Sequence, residues 1–407
     1  MARSLSCSTS HSAHSWRTRR ATRAAAAVVA QPPAAGAAIV STVKGVEKTV
    51  CSWIRWHAAQ GFHLFLYFDA PAADEASIAI ASRFACVTIV RTDTAFWKRE
   101  SYASLPSWPQ VADVAVSQVQ ARQRLNCEHC VRSIAAGTLG PRGIRWLLHI
   151  DSDELFRPPA AGAADHFAQL DRDGVWQYTY GNVEAVPQEL DAADPFRSIA
   201  HFRQHDDWLG PETRARGSPA HAAYLFWLSR SNRLLGEPLY FLFYMNGKSA
   251  IRVGTAGLLC GGVHGWRAHA PPSGWRTNLP SLAQRERISL CRSHAAPHAE
   301  RPAILHYACC SLSQFAAKNW PALGYLDLSG RFGRGTAADE SPHIHRWHGL
   351  QGTTKGTGLG GEAPQRALRD DYCSLVALLD ADETRRQLEA GVLVRIDGPS
   401  TLLNNPF

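Results

Sequence analysis

The stretch Trp146-Leu147-Leu148-His149-Ile150 runs directly into Asp151, Asp153 and Glu154, and this junction restricts the architectures open to the chain more than any other feature. Five largely apolar residues without alternation suit a strand buried on both faces of a parallel sheet. In open α/β sheets ligands bind beyond the carboxyl ends of the strands, so the acids stand where a ligand would. If extended geometry carries past the strand, Asp151 and Asp153 point to one side and Ser152 to the other. Two like charges about 4 Å apart repel by roughly 4 kcal/mol at an effective dielectric of about 20, so such a pair calls for a cation. Hard carboxylate oxygens favour Mg²⁺ or Mn²⁺, which share their shell with substrate phosphates. A helix cap at Asp151 or Ser152 is the plainer reading, but Pro158-Pro159 would keep such a helix short.

The segments before this junction repeat the parallel-sheet theme. Residues 37–43 read as a buried strand left through Lys44-Gly45. Val46, Val50, Trp53, Ile54 and His57 then fall on one helical stripe, stopped by Gly61. Residues 62–68 form a second strand ending at Asp69, 74–84 a second helix and 86–90 a third strand. This rhythm predicts a doubly wound, mostly parallel α/β sheet. Residues 91–108 read as an irregular aromatic insert, and a helical face through Val111, Val114, Ala115, Val119, Arg122 and Leu125 leads to Cys127.

Downstream, 167–170 reads as helix and 175–180 as strand. Residues 239–244 and 250–253 read as a hairpin turning at Asn246-Gly247-Lys248-Ser249, and His264 lies in a glycine-rich stretch. Ser311 introduces a helix, 328–364 reads as loop, 365–390 as helix and 392–396 as a short strand.

At 407 residues, 45% hydrophobic and 19% charged, the chain has ample material for a full core. The formal charge of +8 does not mark a nucleic-acid protein. Five arginines (Arg3, Arg17, Arg19, Arg20 and Arg23) lie in the first 36 residues, where there is no acid; the remainder carries 38 basic against 35 acidic residues, with no basic stripe interleaved with aromatics. The Ser-, Ala- and Arg-rich, acid-free start has the composition of an organelle-targeting segment or a disordered tail, and no stretch reads as a membrane span. Cys127-Glu128-His129-Cys130 is half of a zinc spacing without its other half, so buried thiols or a few disulfides are expected among the ten cysteines.

Taken in order, these pieces resemble glycosyltransferases of the GT-A fold, and more closely the family 2-like proteins related to glycosyltransferase family 92, algal members included. Trp53-Ile54-Arg55-Trp56-His57 and Tyr67-Phe68-Asp69 match that group's opening, although Gly45 stands where it usually has Asn or Asp. Residues 146–156 match its Asp-x-Asp motif, and Asn182-Val183-Glu184-Ala185-Val186-Pro187, Gly247-Lys248-Ser249 with Arg252, Gly262-Val263-His264, and His306-Tyr307 with Ser311, Phe315 and Lys318 follow in order. The resemblance implies a GT-A-like domain over 39–325, with 1–38 as a targeting or disordered segment, 326–364 as linker and 365–407 as a helical extension.

It further implies transfer of a sugar from a nucleotide-sugar, a UDP-sugar, to a hydroxyl of a glycan or glycoconjugate acceptor, with inversion and in a Golgi or secretory lumen. Asp151, Asp153 and His264 are the expected ligands of Mn²⁺ or Mg²⁺, and Lys44, Asp69, Asp151 and Lys248 the expected donor contacts. Glu237 is the candidate base, with Glu184, Asp206, Asp207 and Glu212 left open. The competing reading is a non-catalytic nucleotide-sugar or glycan-binding protein that retains the fold. A glycosidase is disfavoured because Asp151 and Asp153 share one strand end, whereas glycosidase acids flank the scissile bond.

Overall fold

A computed structural model of the chain describes residues 36–99, 102–235, 238–241, 247–262, 264–268, 274, 276–277, 301–319 and 362–405. Four strands form its centre: β1 (Ala37–Val43), β2 (His63–Phe68), β3 (Val87–Arg91) and β4 (Trp146–His149). β1 pairs in parallel with β2 on one side and β4 on the other, and β3 continues beyond β2. The strands are apolar without alternation because alternate residues feed two different cores. Ile39, Leu64, Leu66 and Leu148 enter one with Trp53, Ile54 and Phe167, whereas Val40, Phe65, Tyr67 and Leu147 enter the other with Leu125, Cys130 and Val131. The first core is covered by α1 (Val50–Ala59), α2 (Glu75–Ala81) and α6 (Gly162–Arg172). The second is covered by a run of α3 (Thr94–Arg99), a short 3₁₀ turn (Tyr102–Ser104), α4 (Trp108–Val111) and α5 (Val119–Ala135).

Beyond β4 the sheet changes direction. β9 (Lys248–Arg252) lies antiparallel between β4 and β6 (Val175–Tyr180), and β12 (Arg276–Thr277) completes the order β12-β6-β9-β4-β1-β2-β3. A second sheet takes β5 (Glu154–Arg157), β7 (Asn182–Ala185), β8 (His201–Arg203), β13 (Ala303–His306) and β14 (Leu393–Arg395). The hairpin of β10 (Leu258–Gly262) and β11 (Gly265–Ala268) stands apart. The fold is mixed α/β with a parallel centre, and no described helix is long and apolar enough to cross a membrane.

Several expectations change. Residues 250–253 do not form a hairpin with 239–244: Leu239, Tyr240 and Phe241 lie outside any strand, 242–246 fall outside the described residues, and Lys248 belongs to β9 rather than to a turn. The local pattern marked an apolar strand correctly, but its partners β4 and β6 are remote in sequence. The aromatic insert is largely helical, with Phe96 and Tyr102 buried. Residues 365–390 form two helices, Glu362–Leu375 and Ala381–Glu389; Asp380 caps the second, its carboxylate accepting from the amides of Asp382 and Glu383. Ala37 and Ala38 already belong to β1, and the expectations for residues 1–35 and 320–361 lie outside the described residues.

The Trp53-Ile54-Arg55-Trp56-His57 motif has a structural purpose. The Trp53 indole donates to the Glu154 carbonyl at 2.8 Å and the Trp56 indole to the Phe156 carbonyl at 2.8 Å; the Phe156 amide donates to His57 Nε2 at 3.1 Å. β5 pairs with β13 along one edge, so these side chains satisfy its other edge and fix the segment just after the acidic junction. His57 Nδ1 donates to the Trp53 carbonyl, and burial pushes the imidazole down to about 3. The folded ring therefore resists a proton that the unfolded chain accepts below about 6.5. Stability is accordingly retained above that pH and lost as pH falls from there toward 3, at up to about 1.4 kcal/mol per pH unit. Denaturant titrations at pH 7 and pH 5 should show this loss, and His57→Gln should flatten the dependence; an unchanged slope in the variant would refute the assignment.

Candidate active site

The carboxyl ends of β1, β2 and β4 lie side by side. After β4 the chain turns at once: the Glu154 amide donates to the Asp151 carbonyl at 3.1 Å, and the Asp151 amide donates to Glu154 Oε2 at 2.7 Å. Asp151 and Asp153 are thus held on a tight turn, not on an extended strand, and the clamp expected from strand periodicity gives way to turn geometry. The Asp153 carbonyl accepts from the Tyr307 amide at 2.8 Å, which ties the turn to the end of β13.

Lys248 supplies the central positive charge. Its Nζ lies 2.5 Å from Asp151 Oδ2 and 3.6 Å from Glu154 Oε2, and the side chain is only 1% exposed. The antiparallel register that sets Ala250 opposite Leu148 carries Lys248 level with Ile150, beside the turn. Gly247 just before it has φ 62°, and a Cβ there would lie 1.8 Å from the Tyr180 carbonyl, so only glycine fits this approach. Burial disfavours ionised Asp151, but Lys248 overrides this and holds the carboxyl well below its usual range. Lys248 itself is pushed down by burial and up, by more, by Asp151 and Glu154, ending above the usual lysine range. Glu154 moves up to about 8 because burial, with Asp151 and Asp153 adding repulsion, outweighs the attraction of Lys248.

His264 reaches the same place on the turn between β10 and β11. Its Nδ1 donates to the Gly247 carbonyl at 2.8 Å, and its own carbonyl accepts from Ser249 Oγ at 2.7 Å. Burial and Lys248 push the imidazole down to about 3, and Asp151 acts on it in the opposite sense. The ring is therefore neutral, with Nε2 carrying the lone pair, as in a histidine oriented for a metal by a backbone carbonyl.

Asp69, at the end of β2, does not present an open carboxylate. Arg122 grips both its oxygens, Nε to Oδ1 at 2.6 Å and Nη2 to Oδ2 at 2.7 Å, leaving the Asp69 side chain 3% and Arg122 15% exposed. Lys44 is exposed just past β1. Gly45 has φ 64°, its amide donating to Asp74 Oδ1 at 2.7 Å, and a Cβ would meet nothing within 4 Å. This left-handed conformation is one that glycine and asparagine both adopt, which accounts for the glycine here.

Glu237 lies outside the described residues. Glu184 is buried against Arg203 at 3.2 Å, and Asp206 pairs with Arg214 at 2.7 Å. Asp207 lies 3.9 Å from His205, and Glu212 is exposed. Cys127 and Cys130 are buried free thiols on α5, while the residues between them bind elsewhere: Glu128 accepts from the Cys260 amide and His129 meets the Tyr67 hydroxyl.

Sequence reasoning missed Gln123, whose Nε2 donates to Asp151 Oδ1 at 2.7 Å, and the grip of neighbouring Arg122 on Asp69. Nothing in the linear pattern marks either contact, because both arise where α5 crosses the strand ends.

With Glu154 largely protonated at neutral pH, Asp151 and Asp153 still outnumber the one ammonium, and hard oxygens suit a divalent ion. Among the described residues no group of three or more His, Cys, Asp or Glu side chains is arranged to hold one.

No family model matches the sequence. Glycosyltransferase-like At2g41451 of Arabidopsis thaliana is 25% identical over 235 residues, 56% of this chain and 48% of its own length. Glycosyltransferase-like At3g57200 of the same plant is 23% identical over 236 residues, 56% of this chain and 42% of its own. The chain thus spans about half the length of the curated relatives it matches. Among solved structures, the mannosyltransferase Ktr4p from S. cerevisiae aligns over 39% of this chain and 43% of its own, at 16% identity and a TM-score of 0.23. The two plant proteins, distant as they are, support a glycosyltransferase in the general sense.

Proposed function

We propose that the chain transfers a sugar from a nucleotide-sugar, a UDP-sugar, to a hydroxyl of a glycan or glycoconjugate, with inversion. The observation that carries this reading is the acidic turn Asp151–Glu154, held by Lys248 and Gln123 at the carboxyl ends of parallel strands beside the Asp69–Arg122 pair. Strand ends of this kind form one shared crevice. Lys44 and the Asp69–Arg122 pair border the nucleoside, and the 151–154 turn faces the diphosphate.

Asp151 and Asp153 would hold Mn²⁺ or Mg²⁺, with the donor's phosphates completing the shell. The chemistry such an ion supplies when bound is Lewis-acid neutralisation of the departing diphosphate. Lys248 keeps Asp151 ionised, and Gln123 fixes its rotation. His264, neutral and anchored on Gly247, is the nitrogen ligand we assign to the same ion. The acceptor hydroxyl must lose its proton to a carboxylate as attack proceeds. Glu184 and Asp206 are engaged by arginines, which leaves Glu237, Asp207 and Glu212, of which we favour Glu237.

A panel of UDP- and GDP-sugars with Mn²⁺ and candidate glycan acceptors tests the reading. Nucleotide release with a new glycosidic product is the expected outcome, and EDTA should suppress it. Tight donor binding without turnover would instead identify a binding module, and neither binding nor turnover would end the proposal.

A further inference from the structure

Far along the chain from the acidic turn, two helical segments enclose a cavity of about 460 Å³. Phe226, Arg230 and Arg233, spaced i, i+4 and i+7, share one face of the helix Pro219–Leu235 and contribute to its lining. The corner at 377–380, between the helices Glu362–Leu375 and Ala381–Glu389, contributes more, as do Glu383 and Arg386 on the second of these helices.

Arg230 is the unusual group in this lining, because it is only 7% exposed. Its Nε donates to the Ser374 carbonyl and its Nη2 to the carbonyls of Cys373 and Ala377, the ordinary use of an arginine at a helix C-terminus. Nη1 is left over. It has no hydrogen-bond partner among the described residues, and no described carboxylate lies within ion-pair distance of Arg230 or Arg233. The two acids of the lining are engaged elsewhere: Glu383 accepts from Arg386 at 2.6 and 2.9 Å, and Asp380 accepts from the amides of Asp382 and Glu383. Burial, with repulsion from Arg203 and Arg233 added, pushes Arg230 down to about 10, so it remains charged at neutral pH.

A buried cation with an unused donor, and a second cation on the same cavity, call for an anion. Guanidinium groups present paired donors that match phosphate oxygens, and two uncompensated charges suit the near-dianion that a phosphate monoester is at pH 7. Phe226, Ala377, Leu378 and Leu379 add an apolar part to the lining, and Leu379 is 48% exposed despite its size.

We infer that this cavity binds a small phosphate monoester, its phosphate held by Arg230 and Arg233 and its organic group resting on Phe226 and Leu379. A volume of about 460 Å³ is that of a small-molecule pocket, which favours a soluble ester over a lipid headgroup. The lining shares no residue with the 151–154 turn, and the inference stands apart from the sugar-transfer reading.

Calorimetry on the intact chain at pH 7.5, with phenyl phosphate and inorganic phosphate as probes, tests it. Phenyl phosphate should bind more tightly than inorganic phosphate, and excess UDP should not displace it. Arg233→Gln should weaken both probes about tenfold, the loss expected for one charged hydrogen bond. Leu379→Ser should weaken phenyl phosphate alone. Arg230→Lys should weaken both probes too, but it also loosens the helix end that Arg230 holds, so the exposed Arg233 carries the test. Phosphatidate vesicles should not compete with phenyl phosphate; competition would put a lipid headgroup in the site and overturn the assignment to a soluble ester. Unaltered affinity in Arg233→Gln, displacement by UDP, or no binding of phenyl phosphate at millimolar concentration would overturn the inference outright.

Discussion

Asp151→Ala is expected to abolish sugar transfer and to lower the melting temperature as well. The activity loss, roughly a hundredfold or more, follows from the proposed function, in which this carboxylate serves the charge that develops on the departing diphosphate. The stability loss has a separate origin. Lys248 is 1% exposed and has its closest ionic contact, 2.5 Å, with Asp151; without it the nearest described ion-pair partner is Glu154 at 3.6 Å. Stranding one member of a buried pair costs about 3–5 kcal/mol, and because the Asp151 side chain is 27% exposed the lower end applies. Strand-end position alone would suggest a harmless substitution, so thermal melts separate the two views. Asp151→Asn keeps the shape and loses the charge, and Asp151→Ala with Lys248→Met removes the stranded ammonium. The double variant should regain much of the stability and none of the activity. Turnover near wild type in Asp151→Ala, or an unshifted melt, would count against this account.

Glu184→Ala should produce the largest purely structural effect. Glu184 and Arg203 face each other across β7 and β8, both 2% exposed, with their charges 3.2 Å apart. Arg203 also donates to the Tyr240 carbonyl and lies over the Trp227 ring at 4.1 Å, so it ties the second sheet to α8 (Pro219–Leu235). The short helix α7 (Pro195–Ser198), capped by Asp194, sits on the connection between those two strands. Removing Glu184 leaves a guanidinium in a dry environment with aromatic faces as partial compensation. A loss of about 3–5 kcal/mol follows, or roughly 5 °C in melting temperature for a chain of this length. Arg203→Met with Glu184→Leu should cost far less than Glu184→Ala alone, because both charges leave together. If the single variant melted within about 2 °C of wild type, the pair would not hold the sheet to the helix as described.

These two acids illustrate how far the sequence reaches. Residues 37–43, 62–68 and 146–150 were readable as parallel strands because both of their faces are apolar, a condition that only a doubly covered sheet satisfies. The helices between them followed from 3.6-residue spacing, and the position of Asp151 beyond a strand end followed from the run that precedes it. Gly45 and Gly247 were visible as punctuation, although only the backbone explains them, one by its positive φ and the other by the Tyr180 carbonyl it would otherwise strike.

Pairing and charge compensation were decided by the tertiary structure. Periodicity identifies a strand but not its neighbour, so β9 looked like half of a local hairpin until its place between β4 and β6 delivered Lys248 to Asp151 across 97 residues. A carboxylate's environment depends on which side chains converge on it from remote segments. The sequence could therefore name Asp69, Asp151 and Glu184 alike as candidate acids, whereas the fold closes Asp69 with Arg122, seals Glu184 against Arg203, and leaves Asp151 partly open between Lys248 and Gln123. Solvent exposure and the identity of the nearest opposite charge determine what an acid can do, and both are properties of packing rather than of order along the chain.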